Sequence, residues 1–166
     1  MTKTAHVDTF AADRLPDRET WPDFTFNDEV PKYPDYLNAA EELLQSGYDD
    51  RPAIHMGDVT WTYRDLDQKS NQIASVLKEH FGMVPGNRVL LRGNNTPMLA
   101  ALWYAVLKAG GVVITTMTML RQKELDAGGT LDFPTNTLKL LNEGCNFPKN
   151  VLLFSQILRV NRAHFR

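Results

Sequence analysis

The sequence predicts an α/β fold, a β-hairpin feeding βαβαβ crossover units. Three observations predict it. Thr60-Trp61-Thr62-Tyr63 is aromatic and β-branched, as a pleated, half-buried strand requires. Apolar residues then recur near a period of 3.6. Leu66, Ile73, Ala74, Leu77 and Phe81 share one stripe, while Asp67, Lys69, Gln72, Lys78 and Glu79 face away. Val112-Val113-Ile114-Thr115-Thr116 is a continuous β-branched run of the kind found in parallel strands covered on both faces.

Residues 1–35 carry Pro16, Pro22, Pro31 and Pro34, with Phe10, Trp21, Phe24, Phe26 and Tyr33 among acids and no sustained period. They are an irregular leader whose aromatics pin it to the domain surface, with a short helix compatible with residues 8–15. A helix is expected over residues 36–46, with Leu37, Ala40, Leu43 and Leu44 on one face, Glu41 and Glu42 outward, and Gly47 closing it. After a loop at residues 49–52, a strand over 53–56 turns at Gly57-Asp58 into the strand 59–63.

The first crossover helix begins at Arg64 or Asp65 and stops at Gly82, since glycine takes a left-handed cap without a Cβ penalty. Pro85-Gly86-Asn87 turns the chain into a short strand over 88–92. Thr96-Pro97 starts the next helix, with a hydroxyl cap and a proline at the first position, where a missing N–H costs nothing. Residues 98–109 are apolar nearly all round, which places Leu99, Trp103 and Val106 in the core. Gly110-Gly111 ends that helix. Two strands joined by a helix through short loops form a right-handed unit, so 89–91 and 112–114 are expected to lie parallel and adjacent or nearly so.

The 166 residues, 43% hydrophobic and 23% charged, suit one globular domain with a real core. A net charge of −2 gives no electrostatic case for nucleic acid or an anionic membrane. Cys145 stands alone, which rules out an internal disulfide and favours a reducing compartment. No apolar run follows Met1 to His6, so no signal peptide is expected, and no stretch has the apolar length of a spanning helix. A cytoplasmic location is the expectation.

Three stretches carry a resemblance. Trp61-Thr62-Tyr63-Arg64-Asp65-Leu66, Val84-Pro85-Gly86-Asn87-Arg88-Val89 and Leu107-Lys108-Ala109-Gly110-Gly111-Val112-Val113 resemble the opening motifs of the AMP-forming acyl-CoA synthetases, the adenylate-forming ligases. Ile114-Thr115-Thr116-Met117-Thr118-Met119-Leu120-Arg121, with Asp8-Thr9-Phe10 and Trp21-Pro22, is similar to the 2-aminobenzoate/benzoate–CoA ligase branch. The resemblance covers about residues 6–125. It implies a partial N-terminal subdomain of the adenylate-forming ligase fold, divided as leader 1–35, truncated α/β subdomain 36–125 and tail 126–166. In full length such an enzyme adenylates a carboxylic acid with ATP and Mg²⁺ and transfers it to CoA. This chain alone is expected to be inactive and to need no cofactor. The alternative is a non-catalytic module that pairs with a full-length ligase.

The tail departs from that pattern. Asp126-Ala127-Gly128-Gly129-Thr130 interrupts a helix that residues 121–125 had begun. Residues 126–166 carry three acids against five bases, a net +2, which leaves −4 on the first 125. A composition break where a family pattern stops suggests a different reading frame, a retained intron or a fused segment. Residues 151–158 suit a strand or a short helix, and periodicity does not decide which. Unless that run covers the edge of strand 112–116, the edge is expected to drive self-association.

No residue is assigned a catalytic, cofactor-binding or metal role. The resemblance implies that the phosphate loop, the ribose-binding acid and the catalytic lysine lie beyond residue 125, and no position matches them. The sequence has no Gly-x-x-x-x-Gly-Lys-Ser/Thr and no Gly-x-Gly-x-x-Gly. Gly128-Gly129-Thr130 reads as a turn. His6, His55, His80 and His164 lack metal-ligand spacing. Asp65 and Asp67 read as helix-start residues, and Ser70 and Ser155 lack a positioned base. Cys145 has no sign of a lowered pKa. Arg92-Gly93-Asn94-Asn95 is the most informative polar cluster, because it follows a strand's C-terminal end and precedes a helix N-terminus, where open α/β sheets bind ligands, but the resemblance implies that this loop is structural.

Overall fold

The structure, a computed structural model, describes residues 4–23, 25, 33–45, 50–119, 138–141 and 151–153. Two threonines start the long helices. Thr62 caps α2, Tyr63–Glu79, in a reciprocal box: its hydroxyl accepts from Asp65 N–H at 3.1 Å, and its own N–H donates to Asp65 Oδ2 at 2.9 Å. Tyr63 is therefore the first helical residue rather than the last of the strand. Gly82, at φ +60, turns the chain after α2 so that Met83 N–H returns to the Leu77 carbonyl at 3.0 Å. Thr96 accepts from Leu99 N–H at 3.2 Å and Pro97 takes the first position of α3, Pro97–Lys108.

The hairpin β1, Pro52–Met56, and β2, Val59–Thr62, is antiparallel and turns at Gly57 with φ +57. A separate parallel sheet contains β3, Arg88–Arg92, and β4, Val112–Thr116, joined through α3. Val89 pairs with Val113 and Leu90 with Ile114, as expected. Two strands from the region after residue 125 extend this sheet: β5, Leu138–Leu141, pairs with β3, and β6, Val151–Leu153, pairs with β5. The order is β4-β3-β5-β6, all parallel.

That order corrects one expectation. β3 is interior, and Val89, Leu90 and Leu91 are all buried. Among the described strands β4 is at the sheet edge, with Thr115 exposed and its other residues half-buried. Double-sided cover belongs to β3, although β4 has the more β-branched sequence.

α2 packs along α3 over β3, and the core gathers Leu66, Ile73, Leu77, Val89, Leu91 and Val106 among others. Val106 is fully buried as expected, whereas Leu99 and Trp103 are half-buried. The first helix is shorter than its pattern: α1 is Ala39–Gln45, not 36–46. Asn38 explains its start. Its Oδ1 accepts from Ala40 N–H at 3.1 Å, and its Nδ2 donates to the carbonyls of Leu107 and Lys108 at the end of α3. Only Ala40 and Leu44 then face the core, and Leu37 and Leu43 are exposed. Gly47 lies outside the described residues.

Among its described residues the leader is irregular apart from 3₁₀ turns at Ala12–Arg14 and Arg18–Thr20, so residues 8–15 form no longer helix. Phe10 does pin it, while Trp21 bonds within the leader, Nε1 to the Pro16 carbonyl at 2.9 Å.

Candidate functional site

The Gly93–Asn95 loop leaves the C-terminal end of β3 and opens onto a cleft of about 440 Å³ between the hairpin and the first turns of α3. Leu91 and Thr115 form its floor, His55 and Met56 one wall, and Leu99 and Trp103 the other. The cleft explains the half-burial of Leu99 and Trp103. Trp103 is held edge-on by Tyr104, with centroids 5.3 Å apart at 85°. Burial, and after it Tyr63, pushes the Tyr104 phenol above its ordinary value.

Of the polar cluster picked out in the sequence, Asn95 reaches the cleft. Arg92 turns elsewhere and donates from Nη2 to the Thr118 carbonyl, tying the ends of β3 and β4 together. Thr96 is occupied as a cap. His55, set aside as a metal ligand, is the titratable residue of the lining, and its Nδ1 lies 2.9 Å from Thr60 Oγ1. The arrangement suits an apolar body with a few polar contacts. It brings together no nucleophile with a base and no acid–base pair among the described residues.

Two other polar clusters are structural, and sequence reasoning missed their partners. Lys108 Nζ donates to Asp67 Oδ1 at 2.6 Å and Asn71 Oδ1 at 2.7 Å, latching α3 to α2. Asp67 is thus an inter-helix partner rather than a helix-start residue, while Asp65 is the capping residue expected. The Thr62 backbone N–H and then its hydroxyl hold the Asp65 carboxyl below its ordinary range. The Ser70 hydroxyl is buried and donates to the Asp67 carbonyl at 2.9 Å. At the N-terminal end of the sheet, Arg88 Nη1 meets Asp8 Oδ2 at 2.6 Å, with both side chains largely buried.

The described residues do not fit the phosphates of ATP. Gly86 is filled by Asp8, whose carbonyl oxygen occupies the space into which a Cβ would project, and Gly111 is filled by Met83 and Val106. Gly57 and Gly82 are single glycines at a hairpin tip and a helix end. The amine of Lys108 is taken up by Asp67 and Asn71. No group of three His, Cys, Asp or Glu among the described residues suits a metal ion, and no described helix is long and apolar enough to cross a membrane. Gly128-Gly129-Thr130, Cys145, Ser155 and His164 lie outside the described residues.

The model of the AMP-binding enzymes matches residues 43–127, just over half of the chain. Gramicidin S synthase 2 of Aneurinibacillus migulanus is 33% identical over 94 residues, 55% of this chain and 2% of that protein. A long-chain-fatty-acid–CoA ligase of Yersinia pestis is 31% identical over 97 residues, 56% of this chain and 17% of that protein. The chain therefore spans a small part of the length of the curated relatives it matches. Among solved structures, the N-terminal subdomain of Klebsiella oxytoca NpsA in complex with anthranilyl-AMSN has a TM-score of 0.62 at 16% identity, over 74% of this chain and 32% of that one. That likeness is one of fold. It agrees with the hairpin, the α2–α3 layer and the parallel β3–β4 pair, which form part of the N-terminal subdomain of the adenylate-forming fold. With the family match running from α1 past the end of β4, the chain belongs to the AMP-binding enzymes, the adenylate-forming family.

Proposed function

We propose that this chain supplies part of the N-terminal subdomain of an ATP-dependent, AMP-forming aryl- or acyl-CoA ligase, and that its 166 residues alone activate no acid. The carrying observation is the family match over 43–127 in a chain that covers 2% and 17% of the two curated relatives. In full length, such a ligase uses ATP and Mg²⁺ to adenylate a carboxylic acid and then passes the acyl group to CoA. Adenylation gains its rate from positioning and preorganised charge around the phosphates. The described residues supply neither a phosphate cradle nor an unengaged lysine beside one. Residues 114–121 and the leader motif favour benzoate or 2-aminobenzoate as the acid. The fold likeness to NpsA carries no weight for that choice.

The proposed division is leader 1–35, ligase subdomain 36–125 and a tail of separate origin from 126, in a cytoplasmic protein. β4 has no strand on its outer side among the described residues. Its run of five β-branched residues favours pairing with another chain, so self-association through this edge is part of the proposal. The same edge favours a second reading, a non-catalytic module that pairs with a full-length ligase. The test is pyrophosphate release by the purified chain with ATP, Mg²⁺ and benzoate or 2-aminobenzoate. No protein-dependent turnover is expected. Steady turnover from a homogeneous preparation refutes the inactive-part reading, and a null result with tight, saturable binding to a full-length ligase selects the second.

A further inference from the structure

We propose that residues 84–88 form a recognition site for an Asp-x-Phe segment, filled by the chain's own leader and exchangeable with the same segment supplied in trans. The leader's grip on the core is concentrated in a few residues. Val7 and Asp8 N–H both donate to the Pro85 carbonyl at 3.0 Å. The Asp8 carboxylate takes Arg88 Nη1 at 2.6 Å and Asn87 Nδ2 at 2.9 Å. The Phe10 ring lies between two guanidinium groups, with Arg88 at 4.4 Å and Arg14 at 3.5 Å from its centroid. Further along, the leader's contacts turn inward: Thr20 N–H and hydroxyl go to the Asp17 carbonyl and Trp21 to Pro16.

The receiving surface is built without the leader. Asn87 N–H closes the turn onto the Val84 carbonyl at 3.1 Å, and Val84 N–H bonds back to Asn87 Oδ1 at 3.0 Å. Gly86 N–H is tied to the Gly110 carbonyl and Val112 N–H to the Asn87 carbonyl, each at 2.8 Å. Arg88 is anchored by its own bond to the Gly86 carbonyl at 3.1 Å. These ties preorganise the site, and Gly86, lacking a Cβ, leaves the hollow that the Asp8 backbone enters. The visiting segment is equally self-contained: Asp8 Oδ1 accepts from Phe10 N–H at 3.0 Å, and Thr9 and Asp13 bond to each other. None of residues 4–16 belongs to the buried core cluster, so releasing that segment leaves the core's own contacts intact.

The test uses the full chain and a fluorescent peptide of residues 4–16, with binding read by anisotropy. In the wild-type chain the tethered leader competes at a high effective concentration. The Asp8→Asn chain weakens that competitor and is expected to bind the peptide about tenfold or more tightly than wild type does. A Phe10→Ala chain serves as an independent second receptor. Asp8→Asn and Phe10→Ala peptides are expected to bind either receptor about tenfold more weakly than the native peptide. Because those changes lie in the peptide, they leave receptor folding untouched. Equal binding of all three peptides, or no saturable binding to either receptor, overturns the proposal. So does loss of cooperative unfolding in both variant chains, which makes the leader an integral part of the core.

Discussion

Gly86→Ala should be far more damaging than a glycine-to-alanine change in an ordinary surface turn. Pro85 and Gly86 occupy the central positions of the turn closed by Asn87 N–H on the Val84 carbonyl, and Gly86 has φ +93. An alanine held at such a φ costs roughly 1–2 kcal/mol. Its narrower unfolded ensemble returns about 0.4–1 kcal/mol of that. Steric overlap costs more. The new Cβ would run into the Asp8 carbonyl oxygen and stand 3.0 Å from His6 Cβ, so leader backbone must move away. That movement breaks the bonds of Val7 and Asp8 N–H to Pro85 and opens the Asp8–Arg88 pair. A charged hydrogen bond contributes about 1.5–3 kcal/mol and each neutral one about 0.5–1.5 kcal/mol. The total comes to about 3–7 kcal/mol, read by urea unfolding with tryptophan fluorescence. A double-mutant cycle with Asp8→Asn checks the cause. Asp8→Asn alone should cost about 1.5–3 kcal/mol, and close to nothing once Gly86→Ala has displaced the leader. If the two losses add within about 0.5 kcal/mol, the leader is not what the new Cβ strikes.

Three further outcomes follow from the same geometry. The Asp8 carboxyl is raised by burial but held below its ordinary value by the Phe10 N–H, Arg88 and Asn87, which outweigh it. A depressed folded value means that its stabilisation is full above the ordinary carboxylate range and is lost as pH falls through the folded value. Urea midpoints of wild type and Asp8→Asn should therefore converge below about pH 4, and a gap that widens on acidification would contradict the assignment. Val106→Ala should cost about 2–3 kcal/mol, whereas Trp103→Ala should fall below the roughly 3–5 kcal/mol of a fully buried aromatic, because Trp103 faces the cleft. A Trp103→Ala loss of about 3–5 kcal/mol, or a Val106→Ala loss near zero, would misplace the core. Thr96→Ala should remove about 1 kcal/mol with the cap on Leu99 N–H, and an unchanged melt would show that the first turn of α3 is held by packing alone.

How much of the molecule is legible in the sequence follows from how far apart the partners lie. Thr96 and Leu99 are three residues apart, so the α3 cap reads directly from local spacing. Thr62 and Asp65 are as close, but the aromatic, β-branched run around Thr62 reads as strand and puts the start of α2 one or two residues late. The parallel pair β3–β4 is equally accessible, because a short strand, a helix and a β-branched run leave few topologies. What stays hidden has partners far off in sequence. Asn38 caps Ala40 N–H locally, but its second role, binding carbonyls 69 and 70 residues away, is not legible near residue 36. Asp67 looks like a helix-start acid until α3 brings Lys108 to it from 41 residues away. The half-cover of β4 is hidden for another reason: a β-branched run has the same composition at the edge of a sheet as in its middle. For the candidate site, the sequence singles out the loop after β3 as a polar cluster at a strand's carboxyl end, and Asn95 of that loop lines the cleft. The walls are not legible, because His55 and Trp103 meet only once the hairpin has folded against α3.

The two ends of the parallel sheet are built to different rules, and that difference constrains where function resides. At the N-terminal end, the Pro85–Gly86 turn is tied to Gly110, Asn87 is tied to Val112, and Asp8 closes over Gly86. Gly86, Gly110 and Gly111 are each packed against, and Arg88 is buried under the leader. An end so filled has no room for a small molecule and answers chiefly to stability. At the C-terminal end, β3 runs into a loop whose Asn94 and Asn95 are exposed, and the cleft lies beside it. In open α/β sheets the carboxyl ends of the strands are where ligands bind. A change at the leader end should therefore move melting and leave any small-molecule binding in the cleft intact, while a His55 substitution should do the opposite. Trp103→Ala, which removes a side chain that packs on the core as well as lining the cleft, should move both. That separation follows from strand direction alone, and it holds whether or not the chain works as part of a larger ligase.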